Sequence, residues 1–544
     1  MAAESDGAAP GRRRWPLLAG VGLVAVVAVV VGLLVLRREP EPRVAPVPPA
    51  TRVTRVVDRW LAAWERGDTR TMRRLAGGGS GSLTPTVTRF RTDLGGNGPL
   101  VAEPGAVSLT PDGRSASVPF GATVRLARGQ SWTYRGRIDL APSTSGDDWR
   151  VRWSPAVLHP ALTATRRIVA AGVPGARAGV LGADGNPLAV TPSLRSAIVG
   201  VRATFEHQLV GDPTLHVRVV EGDRVVEELA QIGGQAPAPV RTTIDPATQA
   251  AAEATLATGI PNPKAAAQPA ALVAIQVSTG SIRAIASRPA GGFDRALQGK
   301  YPPGSTAKVV TSLALLAHGT TAATPISCPK DTAVGGRKFV NAEEETLGAI
   351  DFGVAFAHSC NTAFVQLASK LTPAELVGVA DELGFNRVPQ LGAAAAGSSY
   401  PHPGSAADQA AMAIGQGRIL VTPLQMAAVA STIAAGAYRR PRLVDDGAPA
   451  GAHTLAEGTI GTVAALMRRV VTEGTAKDVH FPGGPVSGKT GTAEFGASSP
   501  PHSHAWFVGF RGDLAFALVV EDVEGFGGTV AAPLAANFLS RLPG

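Results

Sequence analysis

The 544-residue sequence predicts an α+β protein of several domains, held by one N-terminal transmembrane helix. Three observations lead there. Trp15 to Leu36 run for 22 residues without a charge, roughly 33 Å as a helix and enough to cross a bilayer core. Residues 53–75 repeat apolar side chains at helical spacing, and segments that alternate like strands follow. From residue 246 onward, strand hairpins stand at both ends with helical segments between, the pattern of an antiparallel sheet carrying a helical lobe.

Composition narrows the function. Hydrophobic residues make up 45% of the chain, ample for packed cores. The net charge of +9 is spread thinly, with no long basic block beyond the N-terminus. Zinc-finger spacing and a basic helix are missing, and aromatics to stack bases are few, which argues against a nucleic-acid partner. Cys328 and Cys360 form no metal set. They are either bridged, if the domain lies outside the cytoplasm, or two small buried hydrophobes. His502-x-His504 has a metal-like spacing without a third ligand nearby, so His358, His502 and His504 read as structural or rim residues, and no cofactor is expected.

In chain order, residues 1–14 carry Arg12, Arg13 and Arg14 and read as a cytoplasmic tail. Residues 15–36 form the transmembrane helix, the run being too long for a cleaved signal peptide. Residues 37–50 are a proline-rich, extended linker. Residues 51–160 form a small α+β domain. Its helix is Val53–Leu75, with Val53, Val56, Val57, Trp60, Leu61 and Trp64 on one face. Its strands are AVSLT, SASVPFGATVRL, SWTYRGRIDL and WRVRWSP, with Trp132, Trp149 and Trp153 in the core. Residues 161–245 read as strand- and turn-rich: a hairpin at AGVLGADGNPLAV around its Asp-Gly-Asn turn, and two strands in LHVRVVEGDRVVEELA. This is a connecting or pedestal region without catalytic residues. Asp245 then caps a helix with Pro246 in its first turn. Within 246–544, ALVAIQV pairs with SIRAIAS and HAWFVGF with LAFALVV. Thr372-Pro373-Ala374-Glu375 and Thr422-Pro423-Leu424-Gln425 read as capping boxes.

The chemistry gathers in three short motifs. In YPPGSTAKVVTSLALLAHG, two prolines and a glycine precede Ser305, which stands where a helix should begin. Lys308 follows at i+3, on the same face, and an apolar helix continues. A second serine-x-x-lysine, Ser327 to Lys330, contains Pro329 and lacks the following helix. Ser359-Cys360-Asn361 lies between the helical stretches IDFGVAFA and TAFVQLASK. Lys489-Thr490-Gly491-Thr492 lies in an extended, glycine-flanked segment before HAWFVGF. The three motifs in this order are the signature of class A β-lactamases and penicillin-binding proteins.

On YPPGSTAK, HSCNTAF, GQGRILVTPLQMA, KTGTAEF and HAWFVGF, the chain resembles a class B penicillin-binding protein, a membrane-anchored peptidoglycan D,D-transpeptidase. RTTIDPATQAAAEATL is similar to the entry of that family's transpeptidase domain, implying residues 246–544 for it. Residues 51–160 resemble the nuclear-transport-factor-2-like, cone-shaped extension of the low-affinity resistance enzymes. Residues 161–245 resemble an abbreviated pedestal or dimerisation region. The resemblance implies peptidoglycan stem peptides ending in D-Ala-D-Ala and β-lactams as ligands. It also implies a separate glycosyltransferase and divisome or elongation proteins as partners, and a single-pass protein of the cell membrane with its catalytic domain outside.

Physical roles follow for each residue. Ser305 is a nucleophile only if a base takes its proton. Lys308 is that base if burial, a helix start and a second cation such as Lys489 keep it neutral. Ser359 relays a proton to the leaving amine, and Asn361 bonds the lysine and the substrate backbone. Lys489, Thr490 and Thr492 suit a substrate carboxylate, and Gly491 permits close approach. Backbone N–H groups of Ser305 and Thr492 form the oxyanion hole by resemblance. A D,D-carboxypeptidase or β-lactamase-type hydrolase is the alternative, with Glu382 and Asn386 as its water-activating pair. A non-catalytic penicillin-binding scaffold or sensor is another.

Overall fold

The computed structural model describes residues 47–543 apart from 78, 96–99, 146–147, 259–266, 448–450, 457 and 496–501. The expected tail 1–14, transmembrane helix 15–36 and residues 37–46 of the linker lie outside the described residues. Among the described residues, no helix is long and apolar enough to cross a membrane. The chain divides into two compact units. One comprises the described residues up to Ala171 together with His216–Ile232; the other comprises Gly172–Leu215 and Gly233 onward.

The first unit is a set of helices on a curved sheet. α1 (Pro49–Glu65) buries Val53, Val56, Val57, Trp60, Leu61 and Trp64. The single helix expected over 53–75 is in fact two. Gly67, at φ +69°, turns the chain, and Asp68 caps α2 (Thr69–Ala76) by accepting from the Thr71 amide at 3.0 Å. A left-handed glycine followed by a capping aspartate stops one helix and starts another. α3 (Leu83–Asp93) follows. The sheet holds β1 (Leu100–Pro104), β2 (Ser108–Leu109), β3 (Ala116–Arg125), β4 (Ser131–Pro142) and β5 (Trp149–Val151), ordered β1-β3-β4-β5 with β2 also on β3. The expected strands AVSLT and WRVRWSP shrink to two and three residues. Trp132 and Trp149 are buried. Trp153 is half-buried and donates to Ser82 Oγ at 3.0 Å. Three further strands, β6 (Arg166–Val173), β7 (Thr214–Glu221) and β8 (Arg224–Ile232), form a sheet in that order. β7 and β8 are the two strands expected around Glu221-Gly222-Asp223.

The second unit is built on a five-stranded antiparallel sheet. Its strands are β9 (Ala270–Gln276), β10 (Ile282–Arg288), β11 (Ser487–Phe495), β12 (His502–Arg511) and β13 (Leu514–Val523), in the order β10-β9-β13-β12-β11. Both expected hairpins are present, and chain-distant β9 and β13 join them. No residue from Ala270 to Ile275 is more than 1% exposed, so both sheet faces are covered.

The region before this sheet differs from expectation. α4 (Arg195–Thr204) and a short helix Glu206–Val210 occupy a stretch read as strand and turn. Leu194, Ala197, Ile198 and Val201 are buried at i, i+3, i+4 and i+7, a helical stripe. The Asp-Gly-Asn hairpin reduces to an isolated bridge between Leu181 and Pro187. Pro187 has no N–H to extend a ladder, and Val180–Leu181 pairs in parallel with Val240–Arg241. α5 (Pro246–Thr258) starts as expected, Asp245 accepting from the Thr248 amide at 2.8 Å.

Between the hairpins lie α6 (Lys308–Ala317), α7 (Phe352–Ala357), α8 (Asn361–Ala368) and α9 (Pro373–Glu382), with further helices at Ala406–Ala413, Pro423–Ala435 and Thr459–Thr472. The Thr372 capping box is complete. The Thr422 box is half-formed: its hydroxyl accepts from Gln425, whose side chain turns away to the Leu383 carbonyl at 2.7 Å. Cys328 and Cys360 are bridged, and both are buried.

Candidate active site

The Ser305 loop begins with Pro302 and Pro303, and Gly304 at φ +52° opens a tight 3-10 turn, Gly304–Ala307. The α-helix itself starts at Lys308, three residues later than the expected helix start at Ser305. That shift matters for the chemistry. In a 3-10 turn, side chains at i and i+3 eclipse one another, which sets Lys308 Nζ 3.1 Å from Ser305 Oγ. Trp506 Nε1 donates to the Pro302 carbonyl at 3.0 Å and ties the loop to β12.

Lys308 is 0% exposed. Its nitrogen has four neighbours within hydrogen-bond range. The Ser359 carbonyl lies at 2.6 Å and Asn361 Oδ1 at 2.7 Å; Ser305 Oγ and Ser359 Oγ both lie at 3.1 Å. The first two can only accept, so they take two N–H bonds. A neutral amine then has one lone pair left, and only hydroxyl groups remain to donate into it. Burial, and after it the charge of Lys489, holds the Lys308 pKa well below the usual lysine range. An uncharged amine whose free lone pair faces a serine hydroxyl is arranged as a general base.

Ser359 lies at the α7–α8 junction with φ +62°. Its hydroxyl also receives Lys489 Nζ at 2.9 Å. It therefore sits between two lysines, able to pass a proton from one side of the cleft to the other. Asn361 Nδ2 donates to the Val340 carbonyl at 3.0 Å, which turns Oδ1 toward Lys308.

β11 supplies the third motif. The sequence reading groups Lys489 with the carboxylate-binding residues; in the fold its nitrogen is 0% exposed and donates to Ser359 Oγ and the Thr490 carbonyl. Burial lowers its pKa to about 7. Thr490 Oγ1 lies 2.6 Å from Thr475 Oγ1, and Thr492 Oγ1 accepts from the Gly527 amide at 3.1 Å. A β-carbon on Gly491 would come within 2.9 Å of the Pro303 carbonyl and 2.8 Å of Thr306 Cγ2. The strand and the Ser305 turn therefore pack backbone to backbone, and hydrogen bonds link Ser305, Lys308, Ser359, Asn361 and Lys489 beside it.

The competing features lie elsewhere. Ser327 and Cys328 are on a strand, and exposed Lys330 pairs with Glu344 at 2.6 Å. Glu382 ends α9. Asn386 braces the chain at Tyr400, donating to its carbonyl at 3.0 Å and accepting from its amide at 2.8 Å. His502 pairs with Asp522, and the His504 ring stacks on Phe495. Among the described residues no cluster of three or more metal-ligating side chains occurs. Sequence reasoning missed Thr475 and Gly527, whose contacts with β11 have no local signature. It also missed Asn341, which is buried beside the Ser359 turn.

Comparison with known proteins bears on this cleft. The family described as "Penicillin binding protein transpeptidase domain" matches residues 270–540, and "NTF2-like N-terminal transpeptidase domain" matches 54–166. The Peptidoglycan D,D-transpeptidase PbpA of Mycobacterium tuberculosis (strain ATCC 25618 / H37Rv) is 32% identical over 362 residues, covering 54% of this chain and 70% of that protein. The chain belongs to the penicillin-binding D,D-transpeptidases.

Solved transpeptidases share the fold. The D,D-transpeptidase domain of a peptidoglycan glycosyltransferase from Eggerthella lenta aligns with a TM-score of 0.55 at 24% identity, over 68% of this chain and 98% of its own. Pseudomonas aeruginosa PBP2, in complex with WCK 5153, aligns with a TM-score of 0.57 at 22% identity, over 68% of this chain and 96% of its own. The transpeptidase match covers the five-stranded sheet and all three motifs, and the N-terminal match runs from within α1 through β5.

Proposed function

We propose that Ser305 is the nucleophile through which this transpeptidase crosslinks peptidoglycan stem peptides, and the residue that β-lactams acylate. The observation that carries the assignment is the enclosed Lys308 amine, 3.1 Å from Ser305 Oγ, with its two N–H bonds committed to fixed acceptors. In the first step Lys308 takes the Ser305 proton as Oγ attacks the carbonyl of the penultimate D-Ala. The backbone N–H groups of Ser305 and Thr492 receive the oxyanion. Ser359, between Lys308 and Lys489, delivers a proton to the leaving amine, and the terminal D-Ala departs. In the second step an amine from a neighbouring stem peptide loses its proton to the same relay and displaces Ser305 from the ester. Asn361 orients the donor peptide. The hydroxyls of Thr490 and Thr492 bind its carboxylate, while Lys489 supplies positive potential behind them. No step calls for a cofactor.

Transfer is favoured over hydrolysis because the Glu382–Asn386 pair that a water-activating role would need is spent on ending α9 and bracing Tyr400. Residues 15–36 anchor the protein in the cell membrane, with both described units on the outer side, where the lipid-linked precursor and the wall lie. The Cys328–Cys360 bridge suits that oxidising side. A separate glycosyltransferase supplies the strands, alongside division or elongation proteins.

Labelling with a fluorescent penicillin, followed by mass spectrometry of the adduct, tests the assignment. The adduct should sit on Ser305 and vanish in Ser305→Ala, and turnover of a D-Ala-D-Ala substrate should vanish with it. An adduct on another residue, or none on the parent protein, would overturn it.

A further inference from the structure

The Ser359–Asn361 turn is costly to hold. Ser359 lies at φ +62°, a left-handed conformation that side chains disfavour. α8 begins at Asn361, so its first amides have no partner inside the helix. A serine or aspartate normally offers an oxygen there. Here the capping position is Cys360, and its sulfur, tied to Cys328, is a weak acceptor 3.4 Å from the Ala363 amide.

The oxygen comes instead from Asn341. This side chain is 5% exposed, and its Oδ1 accepts from the Thr362 amide at 3.0 Å. Its Nδ2 donates to the Pro329 carbonyl at 2.8 Å and the Glu345 carbonyl at 2.7 Å, which fixes the orientation of the amide plane. The preceding residue, Val340, accepts from Asn361 Nδ2 at 3.0 Å. One short segment therefore holds both the first turn of α8 and the Asn361 side chain that reaches Lys308.

We propose that Asn341 is a positioning residue for acyl transfer. It caps α8 from a distance and so keeps the Ser359 carbonyl and Asn361 Oδ1 on Lys308. Without it the turn relaxes toward an ordinary φ, and the two acceptors withdraw. The Lys308 lone pair is then no longer aimed at Ser305. The proposal rests on the reading of Ser305 as nucleophile and Lys308 as base.

The test is the second-order rate of acylation of the full chain by a fluorescent penicillin, measured across a pH series and normalised to folded protein. Asn341→Ala should slow acylation by roughly 10²-fold, the size of effect a displaced catalytic group produces, and should move the acidic limb of the pH profile. Asn341→Asp keeps an oxygen for Thr362 but loses both donations, and should fall between that variant and the parent. Asn386→Ala removes a comparable brace in the same unit, at Tyr400, and should lower stability while leaving acylation per folded molecule unchanged. A folded Asn341 variant that acylates at the parental rate with an unmoved acidic limb overturns the proposal. So does failure of both Asn341 variants to fold, since the residue would then serve folding alone. An unlabelled parent protein would strike at the Ser305 assignment instead.

Discussion

Two lysine amines that share one serine hydroxyl inside a protein cannot both stay charged without a large desolvation and repulsion penalty. Lys308 and Lys489 are both 0% exposed, and both reach Ser359 Oγ. Lys489 titrates at about 7, and its charge pushes Lys308 further down. With Lys308 in the proposed role of base, it must be neutral, so acylation should fall as pH drops through its pKa. Replacing Lys489 with glutamine removes the charge that lowers this pKa. The Lys308 pKa then rises, and the acidic limb of the rate profile should move to higher pH, along with a slower rate. An unmoved limb in Lys489→Gln would show that the two amines are not coupled. Lys308→Met should remove the base altogether and cut acylation by roughly 10²–10⁴-fold, measured by stopped-flow fluorescence with the same penicillin. The Ser305–Lys308 pair was legible in the sequence because both members lie within one turn. Asn341 and Thr475 were not, because each meets its partner, Thr362 or Thr490, only through the tertiary fold.

Between elements, the site depends on how closely the Ser305 turn approaches β11. Gly304 combines a φ of +52° with a space in which a β-carbon would lie 2.4 Å from the Thr492 carbonyl. Gly304→Ala should therefore push the turn off the strand and slow acylation by roughly 10²-fold. Thr372→Ala offers a contrast. It removes a complete capping box at the start of α9, where the Thr372 hydroxyl bonds Glu375, and should cost about 1 kcal/mol of stability. Its acylation rate should match the parent. If the two variants slow acylation equally, the effect of Gly304 is one of general stability and not of contact with β11. Element type was readable wherever local signals agreed: both hairpins of the central sheet, the Asp245 cap and the Thr372 box all formed. It failed where a single glycine outweighed periodicity, as at Gly67, which divides α1 from α2. It failed again at α4, where turn-rich surroundings masked a helical stripe of Leu194, Ile198 and Val201.

At the scale of the whole molecule, the two compact units do not follow the boundary read at residue 245. Residues 172–215 and 233–245 group with the transpeptidase unit, and 216–232 with the N-terminal unit. A single strand, β7, runs across the crossing at 215/216, so no turn or linker marks it in the sequence. The allegiance of residues 172–215 comes from what they bury. Leu194, Ile198, Val201 and Leu209 are each 0% exposed and belong to the same hydrophobic core as the central sheet. A chain beginning at residue 246 would lose all four. Each buried aliphatic side chain contributes about 1.5–3 kcal/mol, an upper figure because unfolded chains already hide some surface. Even so, the sum is comparable with the whole stability of a typical domain. A chain beginning at residue 172 retains them. Scanning calorimetry of the two should give the shorter chain a Tm lower by at least about 10 °C, or no cooperative transition, and it should bind penicillin poorly as a result. Equal melting temperatures would mean that α4 is an appendage, and that the core of the transpeptidase unit closes without it.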